Sequence, residues 1–231
     1  QETKYYCIRT AQARGNDGRF GYQLYLDHLV HSRVIPDQPD VFGYPYEQIH
    51  AGLLAYRFDP EEDEFSTLTI GGGGYSMPRY IEAFYPHAKI DVVEIDQAVT
   101  EFNHTHLQLP RTTRIRSINQ DARIFFSSLS KDERYDVIYE DAVNDYAVPY
   151  QITTREFHER VKAHLSPQGH YAITVIDDPQ HAKFTAALVR TLQEVFPSVA
   201  LFPLKSDFEQ GKGRNTFEIV ASFEPLSIDA W

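Results

Sequence analysis

The alternation of hydrophobic and polar positions changes rhythm once along this chain. Before about residue 60 it is short and two-fold. Lys4 to Arg9 and Tyr22 to Leu26 alternate, with the turn cluster Gly15-Asn16-Asp17-Gly18 between them, which predicts short strands and turns. After the charged connector Asp59 to Glu64, apolar runs of strand length take turns with stretches of helical period, the pattern of strands joined by helices. Leu68-Thr69-Ile70, Lys89 to Ile95, Ile115 to Ile118, Tyr135 to Tyr139 and His170 to Val175 read as strands. Pro78 to Phe84, Ala122 to Leu129, Thr154 to Leu165 and Ala182 to Val195 read as helices. Asp96 stands where a helix N-cap belongs, and Pro167-Gln168-Gly169 reads as the stop of the helix before it. Val199 to Pro203 and Asn215 to Ser222 are expected to pair as a hairpin.

Strands connected by helical crossovers lie parallel, with right-handed connections. The expected architecture is therefore α/β: a Rossmann-like, doubly wound sheet over residues 61–231, preceded by a small β-rich unit over residues 1–60.

Composition adds limits. The 231 residues are 42% hydrophobic, with 15 Tyr and 15 Phe, enough apolar surface for a large core and too much for a disordered chain. Acidic side chains number 33 against 22 basic ones, a formal charge of -11. Such a field repels phosphate backbones, so nucleic acid is not an expected partner, and it suits a small cationic polyamine. Acidity also serves solubility, so the charge supports a partner without naming it. Cys7 is the single cysteine; no internal disulfide ties the chain to an oxidising compartment, and a cytoplasmic setting is expected. No apolar run reaches the roughly 18 residues of a membrane span. Gln1 opens the chain and Met77 is its one methionine, so a trimmed or processed piece is expected, of a parent chain that could carry a membrane anchor.

Gly71-Gly72-Gly73-Gly74 directly follows one predicted strand and precedes a helix. Glycines there let the backbone turn and a ligand approach closely, and the helix N-terminus adds its positive end. Glu94 ends the next strand about 20 residues on, where a carboxylate accepts both hydroxyls of a ribose. Asp121 ends the third strand, placed to accept from an adenine amine, and Ala122 beside it leaves room for the ring. Each acid alone reads as a cap or a solvated loop residue; at successive strand ends the features read together as a nucleoside site. The fourth strand ends in Tyr139-Glu140-Asp141-Ala142-Val143-Asn144-Asp145, in the region where open sheets take ligands. Asp141 is the catalytic candidate, a carboxylate able to orient an amine and take its proton while neighbouring acids hold positive charge. The alternative is that Asp141 caps a loop and Glu140 faces solvent. No G-x-S-x-G nucleophile or P-loop lysine supports hydrolysis or phosphoryl transfer. The pairs His28 with His31 and His104 with His106 have no acid or thiol cluster beside them in sequence, so no metal is expected.

These residues, with Leu26-Asp27, Tyr46-Glu47-Gln48-Ile49, Arg79, Tyr135-Asp136-Val137-Ile138, Glu156-Phe157 and Leu165-Ser166-Pro167-Gln168-Gly169, carry a wider resemblance. From about Tyr5 to Ser222 the chain resembles the spermidine/spermine synthase (polyamine aminopropyltransferase) family, most nearly its divergent spermidine synthase-like branch that occurs fused to membrane segments. The resemblance implies a methyltransferase-type Rossmann-like domain, a homodimer, and decarboxylated S-adenosylmethionine as donor of an aminopropyl group to a polyamine, with methylthioadenosine released. By it Glu94 holds the ribose, Asp121 the adenine and Asp141 the attacking amine.

Departures from the family pattern carry expectations of their own. Gly74 stands where the family's G-G-G-D-G-G has its acid, so discrimination between decarboxylated and intact S-adenosylmethionine is expected to flatten, and Gly74→Asp to restore it. Asn144 replaces the second acid of D-S-S-D-P, leaving Asp145 as the substrate-binding substitute. His31 takes the place of the customary glutamine after L-D-G. Tyr46 belongs to a tyrosine-rich segment that reads as substrate-pocket lining, as an oligomer interface or, more plainly, as core. A methyltransferase using intact S-adenosylmethionine, and a non-catalytic binding domain on the same fold, are the other readings.

Overall fold

The computed structural model describes residues 1–14, 18–143, 148–203 and 215–226. In chain order the elements are β1 (Ile8–Arg14), β2 (Phe20–Leu26), β3 (Leu29–Val34), α1 (Pro45–Arg57), β4 (Ser66–Ile70), α2 (Ser76–Phe84), β5 (Lys89–Glu94), α3 (Gln97–His106) and β6 (Arg116–Asn119). They continue as α4 (Ala122–Ser128), β7 (Tyr135–Glu140), α5 (Arg155–Ala163), β8 (Leu165–Asp177), α6 (Lys183–Gln193), β9 (Ser198–Pro203) and β10 (Asn215–Ser222). Among the described residues the strands form a three-stranded sheet in the order β1-β2-β3 and a seven-stranded sheet in the order β6-β5-β4-β7-β8-β10-β9. This is the expected α/β class with its small N-terminal β-unit. The chain divides into two compact units, one of Gln1–Phe65 with Gly71–Asp121, the other of Ser66–Ile70 with Ala122–Trp231.

In the first unit β1 and β2 are antiparallel from Ile8↔Leu26 to Arg14↔Phe20. Asp27 turns the chain into β3 at φ 55, and its Oδ1 accepts the Cys7 N–H at 2.7 Å. The β2–β3 register then skips a residue: Leu24 pairs with Ser32 and Tyr25 with Val30, which leaves His31 as a bulge. Ile8, Leu24, Leu26 and Val34 of this sheet pack with Val99, Phe102 and Leu107, so the β-unit and α3 share one apolar core. Strands β5 and β6 run parallel, with Val93↔Ile118 and Glu94↔Asn119 in register.

The helix α1 departs from the expectation of strands and turns alone. Pro45 supplies the preset φ of a first helical position, and the Glu47 carboxylate accepts the Tyr44 N–H at 2.8 Å. Tyr46, His50, Leu53 and Leu54 are buried at the i, i+4, i+7, i+8 spacing of one helical face.

In the second unit β4 and β7 are parallel, with Ile70↔Glu140 in register, and β7 and β8 are parallel with Tyr139↔Ala172. The expected hairpin forms: β10 is antiparallel to β9, with Ile219↔Leu201, and it pairs on its other side with β8, also antiparallel, through Ile219↔Ile173. Pro167-Gln168-Gly169 is not a helix stop. α5 ends before it, and the tripeptide lies within β8, where the register jumps from Tyr135↔Leu165 to Val137↔His170. A Cβ on Gly169 would stand 2.8 Å from Leu165 Cδ1 and 2.9 Å from the Asp136 carbonyl oxygen. Proline and glycine there mark a bulge, the strand position that tolerates both. Among the described residues no helix is long and apolar enough to cross a membrane.

Candidate active site

After β4 the chain passes through left-handed backbone at Gly71 (φ 96), Gly73 (φ 48) and Tyr75 (φ 60) before α2 begins. The Gly71 N–H donates to the Val93 carbonyl at 2.9 Å, and the Gly72 N–H donates to Glu94 Oε2 at 2.6 Å. A Cβ on Gly72 would stand 2.8 Å from Tyr75 Cε2 and 3.1 Å from Glu94 Oε2, so loop and carboxylate meet too closely for any side chain. Buried donors hold the loop from behind. Asn103 Nδ2 reaches the Gly73 carbonyl at 2.7 Å, and Arg79 Nε reaches that of Gly74 at 3.2 Å. Burial brings the Arg79 guanidinium down to about 10. The Tyr75 hydroxyl is anchored by Thr100 Oγ1 at 2.8 Å and Ser117 Oγ at 3.0 Å.

Gly74 overturns one expectation. Its N–H donates to Ser32 Oγ at 2.8 Å, and a Cβ there would stand 2.6 Å from Ser32 Cβ and 2.7 Å from Val34 Cγ2. Strand β3 already fills the place, so an aspartate at 74 collides with it instead of restoring a grip on the donor.

Glu94 is 5% exposed, and its Oε1 accepts the Asp96 N–H at 2.8 Å. Burial raises its pKa, against the pull of the N–H bonds from Asp96 and Gly72. A carboxylate has about four acceptor positions; the N–H groups of Asp96, Gly72 and Ile95 bear on this one, which leaves acceptor capacity for a hydroxyl. Asp96 caps α3 as expected, its Oδ1 accepting the Ala98 N–H at 3.0 Å, while its Oδ2 accepts the Thr3 hydroxyl at 2.5 Å. Tyr6 lies close enough that burial first, and then Glu94 and Asp96, push its hydroxyl pKa upward. The Gln120 N–H donates to the Glu94 carbonyl at 3.1 Å, and Asn119 Nδ2 to the same carbonyl at 3.0 Å. These bonds tie the start of the Asp121 segment to the Glu94 strand. Asp121 is half-buried and precedes α4, whose first residue is the buried Ala122.

The remaining candidates lie on other elements. His31 is the half-buried bulge residue of β3. Tyr46 is 7% exposed, stacked on Tyr44 at 5.7 Å and edge-on to His50 at 5.7 Å. Asp145 lies outside the described residues. Asp141, in the second unit, is half-buried and follows β7; its N–H donates to the Ile70 carbonyl at 3.0 Å. Glu140 does not face solvent: it is 1% exposed and accepts the Tyr171 hydroxyl. Among the described residues no group of His, Cys, Asp and Glu is arranged to hold a metal ion.

Sequence reasoning missed Ser32, Tyr75, Asn103 and the Tyr171–Glu140 pair. Ser32 and Asn103 are far in sequence from the loop they serve. Glu140 carried a readable signal, a carboxylate inside a run of apolar strand residues.

A family model for the spermine/spermidine synthase domain matches residues 49–204. The chain is similar to the polyamine aminopropyltransferase of Vibrio vulnificus (strain CMCP6), 34% identical over 128 residues, covering 54% of this chain and 41% of that one. It is also similar to an eEF1A lysine and N-terminal methyltransferase homolog of Drosophila pseudoobscura pseudoobscura, 24% identical over 215 residues, covering 88% of this chain and 29% of that one. The chain thus spans less than half the length of either relative. Among solved structures, a probable spermidine synthase from Corynebacterium glutamicum ATCC 13032 superposes with a TM-score of 0.83 over 98% of this chain and 80% of that one, at 23% identity, a likeness of fold. The family model extends from within α1 to the end of β9, more than half of the sequence, and the chain belongs to the spermine/spermidine synthase family.

Proposed function

We propose that this chain transfers an aminopropyl group from decarboxylated S-adenosylmethionine to a polyamine. The observation that carries the reading is Glu94, a buried carboxylate at the end of β5 whose two oxygens are fixed by the N–H groups of Gly72 and Asp96. The carboxylate keeps acceptor capacity for a hydroxyl of the donor's ribose, and the loop glycines leave the nucleoside room to approach. Asp121 accepts from the adenine amine. A neutral amine of the acceptor then attacks the propyl carbon next to the sulfonium: the C–N bond forms, the C–S bond breaks, and its electron pair stays on sulfur in neutral methylthioadenosine. Asp141 orients the amine and takes its proton before passing it to solvent. Orientation supplies most of the rate in a displacement of this kind.

Gly74 favours a second reading, methyl transfer from intact S-adenosylmethionine, since a glycine backed by Ser32 and Val34 puts no negative charge against an α-carboxylate. The similarity to a lysine methyltransferase homolog over 88% of this chain points the same way. Both donors, each with spermidine as acceptor, separate the readings. Methylthioadenosine as product supports aminopropyl transfer; S-adenosylhomocysteine alone overturns it in favour of methyl transfer.

A further inference from the structure

The end of β7 buries a group that the proposed reaction leaves unused. Glu140 precedes Asp141 and is 1% exposed. Its Oε2 accepts the hydroxyl of Tyr171 on β8, and that hydroxyl also meets His158 Nδ1 of α5 at 3.3 Å. Oε1 is buried and has no hydrogen-bond partner among the described residues. A carboxylate in that position has lost its water and gained one hydrogen bond, which leaves the ion several kcal/mol short of its solvation; a group so placed takes up a proton instead. Burial accordingly pushes Glu140 up to about 8, against the hydrogen bond from Tyr171. Among the described residues no cation acts on it. Burial holds His158 down to about 4 and the Tyr171 hydroxyl well up, so both are neutral near pH 7. Ile70 is its apolar register partner on β4.

We propose that Glu140 is a reserve counter-ion for a cationic substrate: neutral in the free protein, it ionises when an ammonium group settles beside Asp141. The O–H bond of the acid breaks, the proton leaves to solvent, and a matched charge pair replaces a neutral acid. An opposite charge within about 4–6 Å lowers a carboxyl pKa by roughly 1 to 3, enough to carry this group through neutrality. The empty protein then never buries a bare anion, and an uncharged ligand gains nothing from Glu140. The inference rests on the proposed role of Asp141 as the amine-binding residue.

The test follows the carboxylic-acid carbonyl band by infrared difference spectroscopy, wild type minus Glu140→Gln, near neutral pH. It is paired with calorimetry of spermidine binding in buffers of different ionisation enthalpy. The band should be present in the free protein, vanish on adding spermidine and survive adding uncharged methylthioadenosine. Wild type should release more protons per spermidine bound than Glu140→Gln. Saturable spermidine binding with an unchanged band, or with equal proton release in the variant, overturns the inference and leaves the proposed function standing. Failure of spermidine and spermine to bind at all overturns both. Should Glu140→Gln not fold, Tyr171→Phe takes its place: losing the hydroxyl must move the midpoint of the band to higher pH, and an unmoved midpoint overturns the inference.

Discussion

Gly72 and Glu94 are joined at 2.6 Å, backbone N–H to carboxylate Oε2, with no room for a Cβ on the glycine. The glycine loop and the acid at the end of the next strand are therefore one hydrogen-bonded unit. Asp96 completes it through the other carboxylate oxygen, and the same residue caps α3. A strand end, a loop and a helix start are held by one buried anion.

Glu94→Gln should weaken methylthioadenosine binding roughly 10- to 100-fold, the scale of charge-assisted hydrogen bonds to a ribose diol. A glutamine has one acceptor oxygen, so its amide NH2 must face either the Gly72 or the Asp96 N–H, and stability should fall by about 1 to 3 kcal/mol as well. Calorimetry on the folded variant, alongside chemical denaturation, separates the two losses. Full nucleoside affinity in a folded Glu94→Gln would exclude Glu94 from ribose binding.

Asp141→Asn keeps the shape of the side chain and removes its ability to accept a proton. Turnover should drop about 100-fold or more while methylthioadenosine affinity stays near wild type. The two quantities are read by product chromatography and by calorimetry. Equal losses in both would make Asp141 a part of the nucleoside site and not the proton acceptor.

In the seven-stranded sheet the sequence rhythm located the strands, because their apolar runs are separated by turn chemistry that needs no knowledge of tertiary contacts; in the small sheet Lys4 to Arg9 meets only the start of β1, and β3 went unread. The acids at strand ends were legible for the same reason: topology alone puts them at one end of a parallel sheet. The helix α1 was overlooked although Tyr46, His50, Leu53 and Leu54 carry a helical spacing, since the surrounding tyrosines and glycines read as β and turn. Pro167 and Gly169 misled because proline and glycine punctuate bulges as well as helix ends, and only the pairing partner tells which. The crowding at Gly74 had no local trace, since Ser32 and Val34 reach it from more than 30 residues away in the chain.

Charge can instead be brought to the loop from β3. Gly74→Asp should destabilise the fold by about 1 to 3 kcal/mol through overpacking against Ser32 and Val34. Ser32→Asp starts from a side chain that already meets the Gly74 N–H at 2.8 Å, so it offers the same N–H a carboxylate. That variant should shift the affinity ratio toward decarboxylated over intact S-adenosylmethionine by about tenfold, a charge pair of about 1.4 kcal/mol. The ratio of two donor affinities in one folded variant is the measurement. An unchanged ratio would mean that the donor's tail does not lie near β3.

Stability should carry the signature of two opposed buried groups, Glu140 and His158. Glu140 has its pKa raised from 4.5 to about 8 by burial. Its folded form holds a proton that the unfolded chain has lost, so its contribution is whole below pH 4.5 and is lost as pH rises to 8, at about 1.4 kcal/mol per pH unit. His158 runs the other way. Burial lowers it from 6.5 to about 4, so its contribution is whole above 6.5 and is lost as pH falls to 4. Between 4.5 and 6.5 the two slopes oppose and nearly cancel, while between 6.5 and 8 Glu140 acts alone. Over that upper window wild type should lose about 2 kcal/mol relative to Glu140→Gln. Below 6.5 the variant should lose stability toward pH 4 relative to wild type, by the histidine slope that Glu140 offsets in wild type. Urea denaturation of both proteins across pH 4 to 8 reads these differences, and groups common to both cancel in the comparison. Parallel stability curves for wild type and Glu140→Gln would show that Glu140 is already ionised in the folded protein, and the reserve counter-ion would fall with it.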